Sequence, residues 1–430
     1  MWVAEYPGMY RDARGGDCNC PLNKCTVLWC AFLSLYELYD NRENNLKGLV
    51  LVLLCCALLS GCANPRQPVI QEPVDAGYLL SGEALLGREV TSAELPADPV
   101  LQLSPEMRGF LDTISPDASP HTRLNRLLRT WGRGRFNMQY DASQTFPASE
   151  TFDSRVGNCM SFANMMVALS RELGTNAYYN FVEVPPTWGQ DDRSFVTYQH
   201  INVVVEQPHG RRVMDFNLAA YDATYPQWRL TDREAFAYYY SNRGVEAMNR
   251  GQPELAFLNM RKALDLNPGN SYFWVNLGGL YSRSGKQGPA EQSYRQALLI
   301  RPDNLLAMSN LERLYRAQGR FAEADAYAQM VVFHRQRNPF YLYHLAEQAF
   351  EAGDYRTARS NLQRALRKIP EDHRLHFLRG KVNHQLGRYD QAREDFRTAV
   401  TLADTDESKQ IYMQRLAEFG EQMRAEVAEQ

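Results

Sequence analysis

Residues 251–302 read GQPELAFLNMRKALDLNPGNSYFWVNLGGLYSRSGKQGPAEQSYRQALLIRP, and the same pattern returns down the rest of the chain. Gly251, Gly285, Gly319, Gly353 and Gly387 recur every 34 residues. Five residues after each glycine stands Ala256, Ala290, Ala324, Ala358 or Ala392, and seven further on Ala263, Ala297, Val331, Ala365 or Ala399. Pro268, Pro302 and Pro370 close three of the units. Small residues in register let two antiparallel helices approach closely. The glycine ends or bends the first helix, and the proline blocks continuation of the second.

A 34-residue period with these small positions resembles the tetratricopeptide repeat, which implies a stack of helix pairs forming a superhelix. The register predicts five repeats over 237–406. The third departs most, with Glu312 and Gln336 where the pattern prefers Gly and Pro. Residues 407–428 are amphipathic and are expected to supply the polar capping helix of the array, within a C-terminal segment 407–430.

N-terminal to the repeats, residues 104–236 hold the candidate chemistry. Short helices are predicted near Pro105–Ile114 and Pro120–Trp131, the second with Leu124, Leu127, Leu128 and Trp131 on one face. The stretch 154–174, SRVGNCMSFANMMVALSRELG, carries a helical stripe of Phe162, Met166, Leu169 and Leu173 and stops at Gly174. Cys159 then falls in the first helical turn, where the helix dipole and backbone N–H groups stabilise a thiolate and can hold a developing oxyanion. Asn176–Val184, Tyr198–Val205 and Arg211–Asp215 read as strands. Pro208-His209-Gly210 is a hairpin-like turn that would bring His200 beside Asp215.

The G-N-C at a helix start, the strand-borne His200 and Asp215 after a hairpin resemble the transglutaminase-like superfamily, of papain-like architecture. The resemblance spans about 120–220 and implies an α+β domain in which Cys159 is the nucleophile, His200 the general base and acid, and Asp215 the residue that orients the imidazole. Relatives often carry a small residue and then tryptophan after the histidine, where this chain has Ile201-Asn202. Gln139 is the one upstream side chain suggested as an oxyanion partner.

The chain of 430 residues has eight cysteines, seven of them at or before residue 62, so Cys159 stands alone in the folded part. Residues 46–61 run from Lys47 through an apolar stretch into Leu59-Ser60-Gly61-Cys62. A basic start, an apolar core and a small-residue cut site read as a secretory signal. Its ending resembles a bacterial lipobox, which implies lipidation of Cys62, a membrane anchor, and an outer-membrane position facing the periplasm. Residues 1–45 then read as a mis-assigned start or a disordered extension. The Pro-punctuated stretch 62–103 reads as a tether with little structure of its own.

A net charge of −3 argues against nucleic acid as a partner. No histidine or cysteine pair near the site has metal-ligand spacing, so neither metal nor cofactor is expected. The repeats imply a protein or peptide partner, bound in a groove whose inner positions are predicted as Tyr238, Tyr272, Arg313, Arg316, Phe340, Tyr343, Arg374, Phe377 and Lys381. Two functions follow. One is an envelope enzyme acting on an amide or isopeptide bond, with repeats recruiting substrate. The other is a non-catalytic scaffold that assembles envelope proteins.

Overall fold

The computed structural model describes residues 2–4, 74–114, 117–130, 138–188, 195–208, 210–216, 225–403 and 409–418. The signal expected at 46–61, the lipidation expected at Cys62 and nearly all of the 1–45 segment lie outside the described residues, as does His209.

Five helix pairs build the C-terminal two-fifths: α7 (Asp232–Asn249) with α8 (Pro253–Leu266), α9 (Ser271–Arg283) with α10 (Gln287–Ile300), α11 (Leu305–Ala317) with α12 (Phe321–Arg335), α13 (Pro339–Glu351) with α14 (Tyr355–Leu366), and α15 (His373–Gln385) with α16 (Tyr389–Leu402). The periodic glycines sit between the two helices of each pair with φ between 70° and 77°, the left-handed conformation that ends a helix at little cost only for glycine. The periodic alanines, from Ala256 to Ala399, are fully buried where the helices meet. The first helix starts at Asp232, fixed by a capping box between Thr231 and Glu234, so the repeat array begins five residues before the predicted boundary. At the other end, a helix over 409–418 buries Tyr412, which meets Phe377 at 4.3 Å between ring centroids.

The third repeat keeps the geometry by exchanging sizes. In the first, second and fifth repeats a Cβ added at Gly244, Gly278 or Gly380 would lie 2.6, 2.5 or 2.7 Å from Met260, Tyr294 or Phe396, sixteen residues on. In the third, Glu312 takes the glycine's place and the residue sixteen on is Ala328; in the fourth the two are Ala346 and Leu362. Glu312 is buried at 3% exposure and is neutralised by Arg316 Nε at 2.6 Å.

Residues 74–103 do not form the tether predicted for 62–103. α1 (Ala76–Ser81) and α2 (Glu83–Leu86) bury Leu79 and Ala84, and the chain onward buries Val90, Leu95 and Val100 in the same apolar core as the first repeats. Backbone polar groups find partners on the repeat helices. Tyr281 Oη donates to the Leu79 carbonyl (2.6 Å), Arg261 to that of Val90, and the Asp98 N–H donates to Tyr240 Oη (2.8 Å). The prolines that look like linker punctuation instead separate short pieces laid over the helices.

Between this segment and the repeats lie α3 (Pro105–Asp112), α4 (Pro120–Thr130), α5 (Ala148–Ser154), α6 (Cys159–Glu172) and an antiparallel sheet. β4 (Ala177–Trp188) and β5 (Phe195–Gln207) are its long central pair. β7 (Gln227–Arg229) pairs with β4, β6 (Gly210–Met214) with the C-terminal end of β5, and β1 (Trp2–Ala4) with residues 195–197 of β5. A separate parallel contact joins β2 (Gln139–Tyr140) to β3 (Val156–Gly157), just before α6. α6 packs on the sheet, with Tyr179 Oη donating to Asn164 Oδ1 at 2.8 Å.

Candidate functional site

The local sequence Gly157-Asn158-Cys159 sets the start of α6. Gly157 has φ +153°, and a Cβ there would lie 2.5 Å from that of Ser161, so no side chain fits. Asn158 is the N-cap: its Oδ1 accepts from Met160 N–H (3.0 Å) and Ser161 N–H (3.1 Å). Phe162 N–H bonds the Asn158 carbonyl. The first-turn N–H groups are not all available to an oxyanion as the helix start alone predicts. The cap claims those of Met160 and Ser161, which leaves the Cys159 N–H as the donor of that turn outside the cap. Cys159 is a free, half-buried thiol.

β5 and β6 form the predicted hairpin, and it carries His200 to Asp215. Nε2 of His200 lies 2.5 Å from Asp215 Oδ2, with the imidazole 17% exposed and the carboxylate side chain at 0%. Cys159 lies near enough to the ring to act on its charge state. Burial pulls the His200 pKa down. The hydrogen bond to Asp215, the nearness of Cys159 and the charges of both outweigh it, lifting the pKa to about 10. The structure thus pairs His200 with Asp215 and sets Cys159 near the same ring. At neutral pH His200 is charged, the partner a thiolate needs.

Several contributors were absent from the sequence reading. Asn202 Nδ2 donates to Asp215 Oδ2 (3.2 Å), its own Oδ1 accepts from Asn180 Nδ2 (3.0 Å), and Asn180 Nδ2 also donates to Gln227 Oε1 (2.9 Å). This amide ladder crosses β5, β4 and β7 and satisfies a carboxylate that water does not reach. The available signal was Asn202 two residues after His200 on one strand, a spacing that places both on one side. Phe216, following Asp215, packs between Tyr140 (5.3 Å) and Phe162 (5.7 Å) and ties β2, α6 and the hairpin end together. Gln139 lies opposite Val156 in β2 with its side chain exposed, and nothing directs it toward Cys159.

The predicted groove residues do not form one strip. Tyr238, Tyr272 and Phe340 line a cleft of about 850 Å³ together with Trp228 and Phe181 of the sheet and Arg301, Arg337 and Lys368 of the repeats. Trp228 stacks on Phe181 (4.6 Å between centroids) and is 46% exposed. Lys381 lines a separate hollow of about 360 Å³. The other predicted positions are engaged within the chain: Arg313 with Asn310, Arg316 with Glu312 and Asp325, Tyr343 with the apolar cluster of Leu342, Ala346 and Leu362, Arg374 with Asp372 and Tyr225, and Phe377 with Phe396 and Tyr412. The reason is the C-terminal helix and neighbouring carboxylates, which spacing along a single repeat does not reveal.

Tetratricopeptide-repeat family models match residues 271–304, 307–332 and 343–407. The helical half carries tetratricopeptide repeats. Among solved structures, PilF of Pseudomonas aeruginosa is similar at 18% identity over 46% of this chain and 90% of its own, with a TM-score of 0.24. A crystal structure of MamA is similar at 18% identity over 39% of this chain and 91% of its own, with a TM-score of 0.22. MamA from Desulfovibrio magneticus aligns at 19% identity over 40% of this chain and 96% of its own, with a TM-score of 0.23. No curated protein matches the chain. Tetratricopeptide repeats generally mediate protein–protein interactions.

Proposed function

We propose that this chain is a protein-docking repeat platform carrying a transglutaminase-like thiol site, which cleaves or transfers an acyl group at an amide or isopeptide bond. One observation carries the reading: the His200 ring is bonded to a buried carboxylate and lies near the Cys159 thiol. In this scheme His200 holds the thiol proton and Cys159 Sγ attacks the substrate carbonyl carbon. The electron pair moves onto the carbonyl oxygen, which the Cys159 N–H is placed to receive. As the C–N bond breaks, His200 passes the proton to the departing nitrogen and a thioester remains. Water or a second amine, deprotonated by the same ring, releases the acyl group and restores the thiol. Asp215 keeps the ring oriented throughout. The cleft lined by Trp228, Tyr238 and Lys368 accepts an extended protein segment. The Leu59-Ser60-Gly61-Cys62 ending supports a lipid anchor at Cys62 and a place in the cell envelope, facing the periplasm.

The second reading is a scaffold without turnover, favoured by the family matches to the repeats. One experiment separates the two. The purified chain is treated with iodoacetamide at mildly acidic pH and the labelled residue located by mass spectrometry. Rapid labelling of Cys159 that His200→Ala abolishes supports the thiol chemistry. A thiol that reacts only after unfolding supports the scaffold.

A further inference from the structure

Two side chains of one strand meet the same oxygen of the buried Asp215 carboxylate. His200 and Asn202 stand two residues apart on β5 and so share a face of the sheet. His200 Nε2 lies 2.5 Å from Asp215 Oδ2, and Asn202 Nδ2 donates to the same oxygen at 3.2 Å. Asn202 is 0% exposed, so protein groups alone fix the orientation of its amide. Reversed, that amide would set a carbonyl oxygen against a carboxylate oxygen. Asn180, directly opposite on β4, excludes the reversal. Its Nδ2 carries two hydrogens and meets two acceptors, Asn202 Oδ1 (3.0 Å) and Gln227 Oε1 on β7 (2.9 Å). Asn202 therefore presents an N–H, and not its carbonyl, to Asp215.

Sharing Oδ2 matters most when the ring is neutral. A buried carboxylate partnered by the imidazolium alone would resist the ring's deprotonation, because its charge would then keep only a neutral donor. A donor from Asn202 stabilises the carboxylate in both states of the ring, and more strongly once the imidazolium charge is gone. We propose that Asn202 is a positioning residue that acts through Asp215, holding Oδ2 in place for the ring and steadying its charge when the ring gives up a proton. Asp215 can then orient the imidazole without locking it in the charged form, a freedom that a ring serving as both acid and base requires. That consequence rests on the thiol reading above; the bonds themselves do not.

The titratable groups that act on the ring are Asp215, just past β6, and Cys159 on α6. β4 sets Val182 opposite His200, and β7 contributes the neutral Gln227. Farther along the same face stand Glu206, Arg211 and Arg229. Glu206 is paired with Arg211 (3.5 Å), and Arg229 lies over the Tyr178 ring (4.3 Å). Asn202 itself carries no charge, so a change in the ring's midpoint on removing its amide reports the bond to Asp215 rather than a lost charge.

The test is an NMR titration of the His200 ring in the full chain, comparing the wild type with Asn202→Leu and Asn202→Asp. Leucine keeps the volume and removes the donor, while aspartate keeps the shape and sets an acceptor in its place. Losing one hydrogen bond to a charged group is expected to raise the ring's proton affinity about tenfold in Asn202→Leu, and further in Asn202→Asp. A residue that only fills space would leave the midpoint unmoved, and one that only props the pair together would lower it. Either result in a folded variant overturns the proposal. The wild type gives a readout that needs no variant to fold: one Asn202 Nδ2 proton should move downfield as the ring loses its charge, because its bond to the carboxylate strengthens. An Asn202 amide that ignores the titration overturns the proposal as well. If iodoacetamide labels Cys159 as readily in His200→Ala as in the wild type, the thiol reading fails, while the titration still decides the role of Asn202.

Discussion

Replacing Asp215 by asparagine conserves shape and removes one charge from the row. His200 stands at a pKa of about 10 against an ordinary 6.5 because its hydrogen-bonded partners, Asp215 foremost, overcome the lowering effect of burial. That rise corresponds to about 5 kcal/mol in favour of the imidazolium. With the carboxylate gone, burial acts with less opposition and the pKa is expected to fall to 6.5 or below. At about pH 8 the charged fraction then drops from nearly all to about 3%, roughly 30-fold. The direct assay is an NMR titration of the His200 ring in Asp215→Asn. The companion assay is alkylation of Cys159 at about pH 8, which should slow when the imidazolium is lost. A ring that still titrates near its wild-type midpoint in Asp215→Asn would refute the argument that this carboxylate holds the charge.

Other outcomes follow from the same contacts. Glu246 has a folded-state pKa of about 7, above its ordinary 4.5, so its contribution to stability is complete below 4.5 and is lost as pH rises through 7. The loss amounts to at most about 3 kcal/mol, and urea denaturation at about pH 5 and about pH 8 should show a flatter dependence in Glu246→Gln than in the wild type. Gly278→Ala places a methyl 2.5 Å from the Tyr294 ring, and a loss of about 1–3 kcal/mol is expected in thermal melts. Adding Tyr294→Leu should recover part of it, since the fourth repeat pairs Ala346 with Leu362; no recovery would count against the size-exchange argument. Tyr281→Phe removes the hydrogen bond to the Leu79 carbonyl and should cost about 1 kcal/mol, seen as faster hydrogen exchange across 76–86 with the later repeats unaffected.

What the sequence alone determined is whatever repeats or alternates along the chain. The 34-residue spacing of Gly251 through Gly387 specified five helix pairs because each repeat contacts mainly its neighbours, so the constraint is written locally and then copied. The strand–turn–strand pattern around residue 208 likewise brought His200 within hydrogen-bonding reach of Asp215, since hairpin register follows from turn length. Contacts between distant segments leave no such periodic trace. The docking of residues 74–103 on the repeats, the Asn202 bond to Asp215, and the bond from the Asn158 cap to Thr145 join elements whose spacing carries no signal. Those were decided by tertiary packing, where a buried donor or acceptor must find a partner wherever the fold brings one within reach.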